Sequence, residues 1–256
     1  MKNNNLRNKK NENKLYIYGK QPLLLSLENK KREFLKIYVA NIEEFKKIVE
    51  NKKILVNFKI VEQRKNDFIS NLIGQNVNHQ GFLAEVRKRK TLSLDDFILK
   101  YCQNKQDLPK LLLLDEIQDP HNIGAIMRTA TAFDIKNIII TSRNSIGDSS
   151  VIIKSSAGYS EFINLIEVNN LNYTIENLKK VGYFVIGLDG NTDKMITDIK
   201  KSNNFCLVLG SEGFGIRPLV KKNCDMLTKI EMKNGVESLN VSVACAIAIY
   251  QLWGTK

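Results

Sequence analysis

The chain has 256 residues, 43% hydrophobic and 26% charged, with a net charge of +12. That length suffices for one large domain or two small ones. Its longest strongly apolar stretches, 111–114 and 241–250, fall well short of the ~20 residues that cross a bilayer, which excludes a membrane-spanning helix. The first fourteen residues, MKNNNLRNKKNENK, lack the apolar core of a secretory signal and are expected to form a disordered basic tail. Cys102, Cys206, Cys224 and Cys245 are far apart with no CxxC pair, so reduced thiols in the core of a cytoplasmic protein are expected, with no metal site and no disulfide frame. The charge is unevenly placed. Residues 1–90 hold 21 Lys and Arg against 9 Asp and Glu, whereas residues 91–256 hold 18 of each. A compositional bias would act along the whole chain, so the basic third points to a polyanionic partner, most simply nucleic acid.

In chain order, residues 15–90 spell a small α/β module. YIYGKQPLLLSL turns from a short strand into a helix at Gly19 and Pro22, and FLKIYVA alternates as a strand. NIEEFKKIVE follows with a helical period and Asn41 as its N-cap. ILVNFKIVE, the helix-like DFISNLIG and the strand-like GFLAEVRK complete it. Residues 91–109 carry mixed signals, end in Pro109 and are expected to connect two domains.

From residue 110 to 256 strongly apolar runs alternate with helical patterns: LLLLDEI, NIIIT, FVIGLDG and NFCLVLG are strands that are apolar almost throughout. Such strands form a parallel sheet covered on both faces.

Three segments of this part carry chemistry. In LDEIQDPHNIGAIMRTATAF a buried strand runs through a polar loop into a helix, and open α/β sheets bind ligands at such strand ends. Asn122 and Arg128 stand on its first turns, although Asn122 could merely cap the helix and Arg128 be a surface charge; His121 receives no role. NFCLVLGSEGFGIRPLV orders its glycines G-x-x-G-x-G, not G-x-G-x-x-G, and sets Glu212 inside the turn. An anion there repels phosphate, so this turn suits an uncharged or cationic ligand group, which disfavours a nicotinamide dinucleotide enzyme. In KIEMKNGVESLNVSVACAIAIYQLW, Ser238 and Asn240 precede a helix apolar almost all round, with Ser238 its expected N-cap.

Taken together, N-x-G-A-I-x-R-T-A, L-G-S-E-G-F-G and S-L-N-V-S-V-A resemble the three motifs of the SpoU/TrmH family of RNA ribose methyltransferases, over almost all of 110–256. YGKQPLL and HQGFLAEV are similar to that family's substrate-binding domain, and the nearest resemblance is to members methylating a guanosine of large-subunit ribosomal RNA. The resemblance implies an α/β protein: a C-terminal trefoil-knotted parallel-sheet (SPOUT) catalytic domain behind a small N-terminal substrate-binding domain, against the usual rule of unknotted chains. It implies S-adenosyl-L-methionine as cofactor, held by Gly210, Ile230 and Leu239, and no metal. Asn122, Arg128, Glu212, Ser238 and Asn240 match the active-site positions. RNA is the implied partner, ribosomal before transfer RNA, with a non-catalytic ribosome-assembly factor as the alternative. A homodimer is implied through the small-residue helix 240–252, where Ala244, Ala246 and Ala248 permit close approach. Arg128 is the family's proposed base, yet a guanidinium stays protonated in almost every setting, so a clamp on phosphate and developing alkoxide stands beside that role. Asp134 replaces the family's usual Gly and is expected to accept a shifted turn, because Asp tolerates left-handed geometry.

Overall fold

The computed structural model describes residues 13–142, 147–200, 202, 204–233 and 235–254. Most of the expected basic tail and part of the polar loop SRNSIGDSS therefore lie outside the described residues. In chain order the regular elements are β1 (Lys14–Tyr18), α1 (Lys20–Glu28), β2 (Phe34–Val39), α2 (Ile42–Asn51), β3 (Val61–Gln63), α3 (Asn66–Ile73) and β4 (Phe82–Arg87). Then come α4 (Leu94–Tyr101), β5 (Leu111–Asp115), α5 (Pro120–Ala132), β6 (Asn137–Thr141), α6 (Ser150–Ser155), β7 (Asn164–Val168) and α7 (Leu171–Val181). The chain continues through β8 (Phe184–Leu188), β9 (Phe205–Gly210), α8 (Pro218–Asn223), β10 (Met226–Thr228) and α9 (Val241–Trp253). These divide into two compact units, one holding the chain up to Lys90 with Asp148–Glu161, the other Thr91–Gly147 with Phe162 onward.

The first unit is a four-stranded sheet in the order β1-β4-β2-β3, antiparallel except for the parallel pair β2 and β3. Alternation sets its register: Leu15 faces Val86 and Ile17 faces Ala84, and all four enter a core with Leu23, Leu24, Phe45 and Val49. Asn41 caps α2, its side chain accepting from the Glu44 N–H. Residues 54–60 form a loop and a short 3-10 turn before β3; Ile54, Val56 and Ile60 pack against the core while Leu55 and Phe58 are exposed. The segment 148–161 belongs to this unit, although the sequence places it inside the later domain. Ile153 enters the same core, and a Cβ at Gly158 would lie 2.9 Å from Pro22 Cα.

A buried ion cluster holds that segment. Arg32 Nε and Nη2 bind the two oxygens of Glu161, Nη1 and Nη2 bind those of Asp148, and Nη1 also reaches the Arg87 carbonyl, so all five guanidinium N–H groups are used. Arg89 adds its backbone N–H to Asp148 at 2.8 Å. Burial acts to lower the Arg32 pKa, but the two carboxylates outweigh it and raise it above its ordinary value. Burial likewise acts to raise Asp148, and hydrogen bonds and charge from Arg32 and Arg89 hold it below the usual range.

The second unit is a six-stranded sheet in the order β10-β8-β9-β5-β6-β7, parallel throughout. β5, β6 and almost all of β9 are buried at every residue, as expected for strands covered on both faces. Leu111, Leu113, Val185, Cys206 and Val208 share one core with Leu171, Ile175 and Leu178 of α7, while α9 packs against α5 and β9. The stretch 91–109, which reads as a connection, is built into this unit. Leu92 pairs with Ile166, Ser93 caps α4, and Leu94 and Phe97 are buried in the core. Asp134 adopts φ 56°, the left-handed turn its residue type tolerates, and pairs with Lys136. Burial pushes all four cysteines up, Cys224 to about 12, and all are free thiols.

Candidate active site

The order of the second sheet creates the site. From β5 the chain moves outward to β6, and from the adjacent β9 it moves the opposite way to β10. Neighbouring parallel strands whose connections diverge open a crevice beyond their carboxyl ends. The first two motifs emerge there, from Asp115 of β5 and Gly210 of β9, which pair directly.

Two salt-bridged residues that the sequence reading passed over stitch these loops together. Asp115, fully buried, accepts from the Arg217 backbone N–H at 2.9 Å and from its Nε at 2.8 Å. Burial raises the Asp115 pKa, and Arg217 opposes that shift. A charge closing the otherwise apolar LLLLD was the available signal. The second motif then folds into a tight turn, with Ser211 and Gly215 exchanging backbone hydrogen bonds at 3.1 and 2.9 Å. Gly210 is obligatory beneath it, since a Cβ there would lie 2.0 Å from the Gly215 carbonyl carbon.

Inside that turn Glu212 meets residues from both other motifs. Its Oε1 accepts from Asn122 Nδ2 at 3.1 Å and from Asn240 Nδ2 at 2.5 Å, and Asn240 Nδ2 also donates to Asn122 Oδ1 at 2.9 Å. The amide orientations follow from donor logic. Asn240 Oδ1 caps α9 by accepting from the N–H groups of Ser242 and Val243, so its Nδ2 must face Glu212 and Asn122. That in turn sets Asn122 with its oxygen toward Asn240 and its nitrogen toward Glu212. Asn240, not Ser238, is thus the N-cap of α9; both residue types cap well, and helix geometry begins two residues later than expected. Asp119 caps α5 with Pro120 in its first turn, which frees the Asn122 side chain for the cluster.

Beside the cluster lies a cavity of about 160 Å³ between the second motif and the loop 229–240. Gly210, Ile230 and Leu239 line it together, with Glu212 and Ser238 on its wall. Leu188, Leu209 and Val241 supply an apolar lining, and Glu212 and Glu237 supply negative charge; Asp189 is paired with Lys221 at 2.6 Å. Backbone-rich loops, apolar walls and two carboxylates against the single ammonium of Lys229 fit an adenosine-bearing sulfonium better than a pyrophosphate. Arg128 stands apart from this wall, exposed on α5 six residues beyond Asn122, about 9 Å along the helix axis. His121 is exposed at the start of α5. Among the described residues no group of three or more His, Cys, Asp or Glu side chains could hold a metal ion, and no helix is long and apolar enough to cross a membrane.

Comparison with known proteins gives a consistent family. Residues 109–250 match the model of the SpoU rRNA Methylase family, and residues 16–92 match that of the RNA 2′-O ribose methyltransferase substrate-binding domain. The 23S rRNA (guanosine-2′-O-)-methyltransferase RlmB of Coxiella burnetii is 34% identical over 92% of this chain and 94% of its own length. YacO of Bacillus subtilis, whose name places it in the TrmH family of tRNA/rRNA methyltransferases, is also 34% identical, over 93% of this chain and 94% of its own. Among solved structures, the SpoU methyltransferase AviRb of Streptomyces viridochromogenes in complex with AdoMet has the same fold. Its TM-score is 0.76 at 19% identity, covering 95% of this chain and 90% of that one.

Proposed function

This chain belongs to the SpoU rRNA methylase family of S-adenosylmethionine-dependent RNA 2′-O-ribose methyltransferases, and from that premise we propose that it methylates a guanosine of large-subunit ribosomal RNA in the cytoplasm, as a homodimer of trefoil-knotted domains. The observation that carries the proposal is the contact of Asn122, Glu212 and Asn240, one residue from each motif, at the edge of the cavity lined by Gly210, Ile230 and Leu239.

When bound, the cofactor supplies a methyl group on a positively charged sulfur. The acceptor, a ribose hydroxyl, is a weak nucleophile, so the protein must align it with that methyl and stabilise it as its proton leaves. Glu212 and the two amides it fixes form a rigid polar frame beside the cavity, and Ser238 adds a hydroxyl on the wall to position the ribose. Arg128 takes the clamp role: its exposed, planar guanidinium fork suits the phosphate flanking the target and the alkoxide as it develops.

The dimer reading draws on α9. Val243, Ile247 and Tyr250 are exposed at i, i+4 and i+7, one apolar stripe on a helix whose other residues are buried or half-buried. Ala248, expected at the interface, is instead fully buried inside its own unit. Ile247→Glu should therefore give folded monomers by sedimentation, whereas Ala248→Glu should fail to fold.

The deciding experiment is transfer of a labelled methyl group to separated ribosomal and transfer RNA, followed by mapping of the modified ribose. Label at one large-subunit guanosine is expected. Label on transfer RNA alone would overturn the choice of substrate.

A further inference from the structure

Phe214 is 94% exposed, the most exposed aromatic ring among the described residues. It sits at the tip of the same five-residue turn that carries Glu212 and is flanked by Gly213 and Gly215. This turn is no loose loop. Its base is closed by the paired hydrogen bonds of Ser211 and Gly215, Gly210 packs against it without room for a Cβ, and Gly215 takes φ +64° to bring the chain back. Glu212 is held by Asn122 and Asn240. The backbone therefore directs one side chain toward the polar cluster and, two residues on, presents a ring to solvent. Two residues of extended chain span at most about 7 Å, comparable to the distance between a ribose 2′-hydroxyl and the far side of its own base or the near side of the next.

Leaving a whole phenyl ring in water is unfavourable relative to covering it. A ring carried on a braced turn at the edge of a site that handles single ribose units has an evident partner. A base drawn out of its stack exposes a flat apolar face, and single-stranded RNA is recognised largely by stacking such faces on aromatic side chains. We propose that Phe214 is a base-stacking residue of this enzyme: its ring receives the face of the target base or its immediate neighbour, and so holds the ribose 2′-hydroxyl in register with Glu212 and the cofactor cavity. This rests on the reading of Glu212 as part of the ribose site. The contact is independent of base identity, because every base has a π face; Phe214 sets geometry and affinity, and other contacts choose the nucleotide.

The test uses full-length protein and whichever RNA the wild type methylates. Phe214→Ala and Phe214→Leu should each lower kcat/KM for RNA about tenfold to a hundredfold, the range of one lost stacking contact. Phe214→Tyr and Phe214→Trp should stay near wild type, and all four variants should bind S-adenosylmethionine with unchanged affinity by calorimetry. The indole of F214W should be quenched on adding RNA, against the background of the buried Trp253. The proposal is overturned if Leu serves as well as Phe, since bulk and not a planar face would then suffice. It is also overturned if F214A stays within twofold of wild type, or if F214A sediments as a smaller species, since a second copy would then be what covers the ring. Failure of the ribose-site reading looks different: Glu212→Gln would leave transfer intact whatever Phe214 does.

Discussion

Each of the two units contains a polar cluster, one around Arg32 and one around Glu212, and these two are built on opposite principles. In the first unit Arg32 is enclosed by Asp148 and Glu161 with no guanidinium N–H left over. In the second, one carboxylate, Glu212, is met by two neutral amides and borders an open cavity. Charge sealed among opposite charges holds a structure together and has nothing left for a ligand. Charge set among amides at a mouth keeps its field available to whatever binds. The first cluster should therefore fail in stability assays and the second in activity assays.

The largest effect is expected at Arg32. Arg32→Ala leaves two buried carboxylates without their partner and should cost about 3–5 kcal/mol, read as a lower denaturant midpoint and early proteolysis near 148–161. A loss below about 1 kcal/mol, the range of a surface pair, would show that the apolar contact of Ile153 secures this segment instead. Next comes Glu212→Gln, which keeps an acceptor for the amides and removes the charge. Transfer should fall on the order of a hundredfold or more while the midpoint barely moves. A rate within threefold of wild type would reduce Glu212 to a brace for α9.

Asn240 tests both principles in one residue, because it caps α9 and also binds Glu212. Asn240→Ala should lose about 1 kcal/mol of stability together with activity, whereas Asn240→Ser should recover the cap and leave transfer impaired. Recovery of both would mean the amide contributes only as a cap. The smallest effect is acid sensitivity. Asp148 has its folded-state pKa held below the ordinary carboxylate value, so its contribution is present above about pH 4 and is lost as pH falls through the lowered value. Asp148→Asn should flatten this part of the unfolding profile below pH 4; an unchanged profile would assign the acid transition to other carboxylates.

Much of the second sheet was legible in the chain because its strands are buried on both faces and read as unbroken apolar runs. LLLLD, NIIIT and FCLVLG could scarcely be anything else. The three motifs carried the family with them, and Pro218 and Asn41 marked helix starts through rules that act over a few residues. Other features escaped for one shared reason, which is sequence distance. Asp115 and Arg217 are 102 residues apart and Arg32 and Glu161 are 129 apart, and no local pattern records that such residues meet. The same limit hid α4, whose mixed signals came from a helix with one face in a core that forms only once β7 is beside it.

The sequence by itself determined the kinds of elements, the family and the three loops that carry chemistry, since periodicity, capping and motif spacing are local properties. Tertiary structure alone decided which unit owns residues 148–161, which face of α9 is exposed, and that Asn240 rather than Ser238 caps that helix. It also decided that Glu212 gathers Asn122 and Asn240. Each of these follows from packing between distant segments, where a side chain's partner is chosen by sheet order and burial and not by its neighbours along the chain.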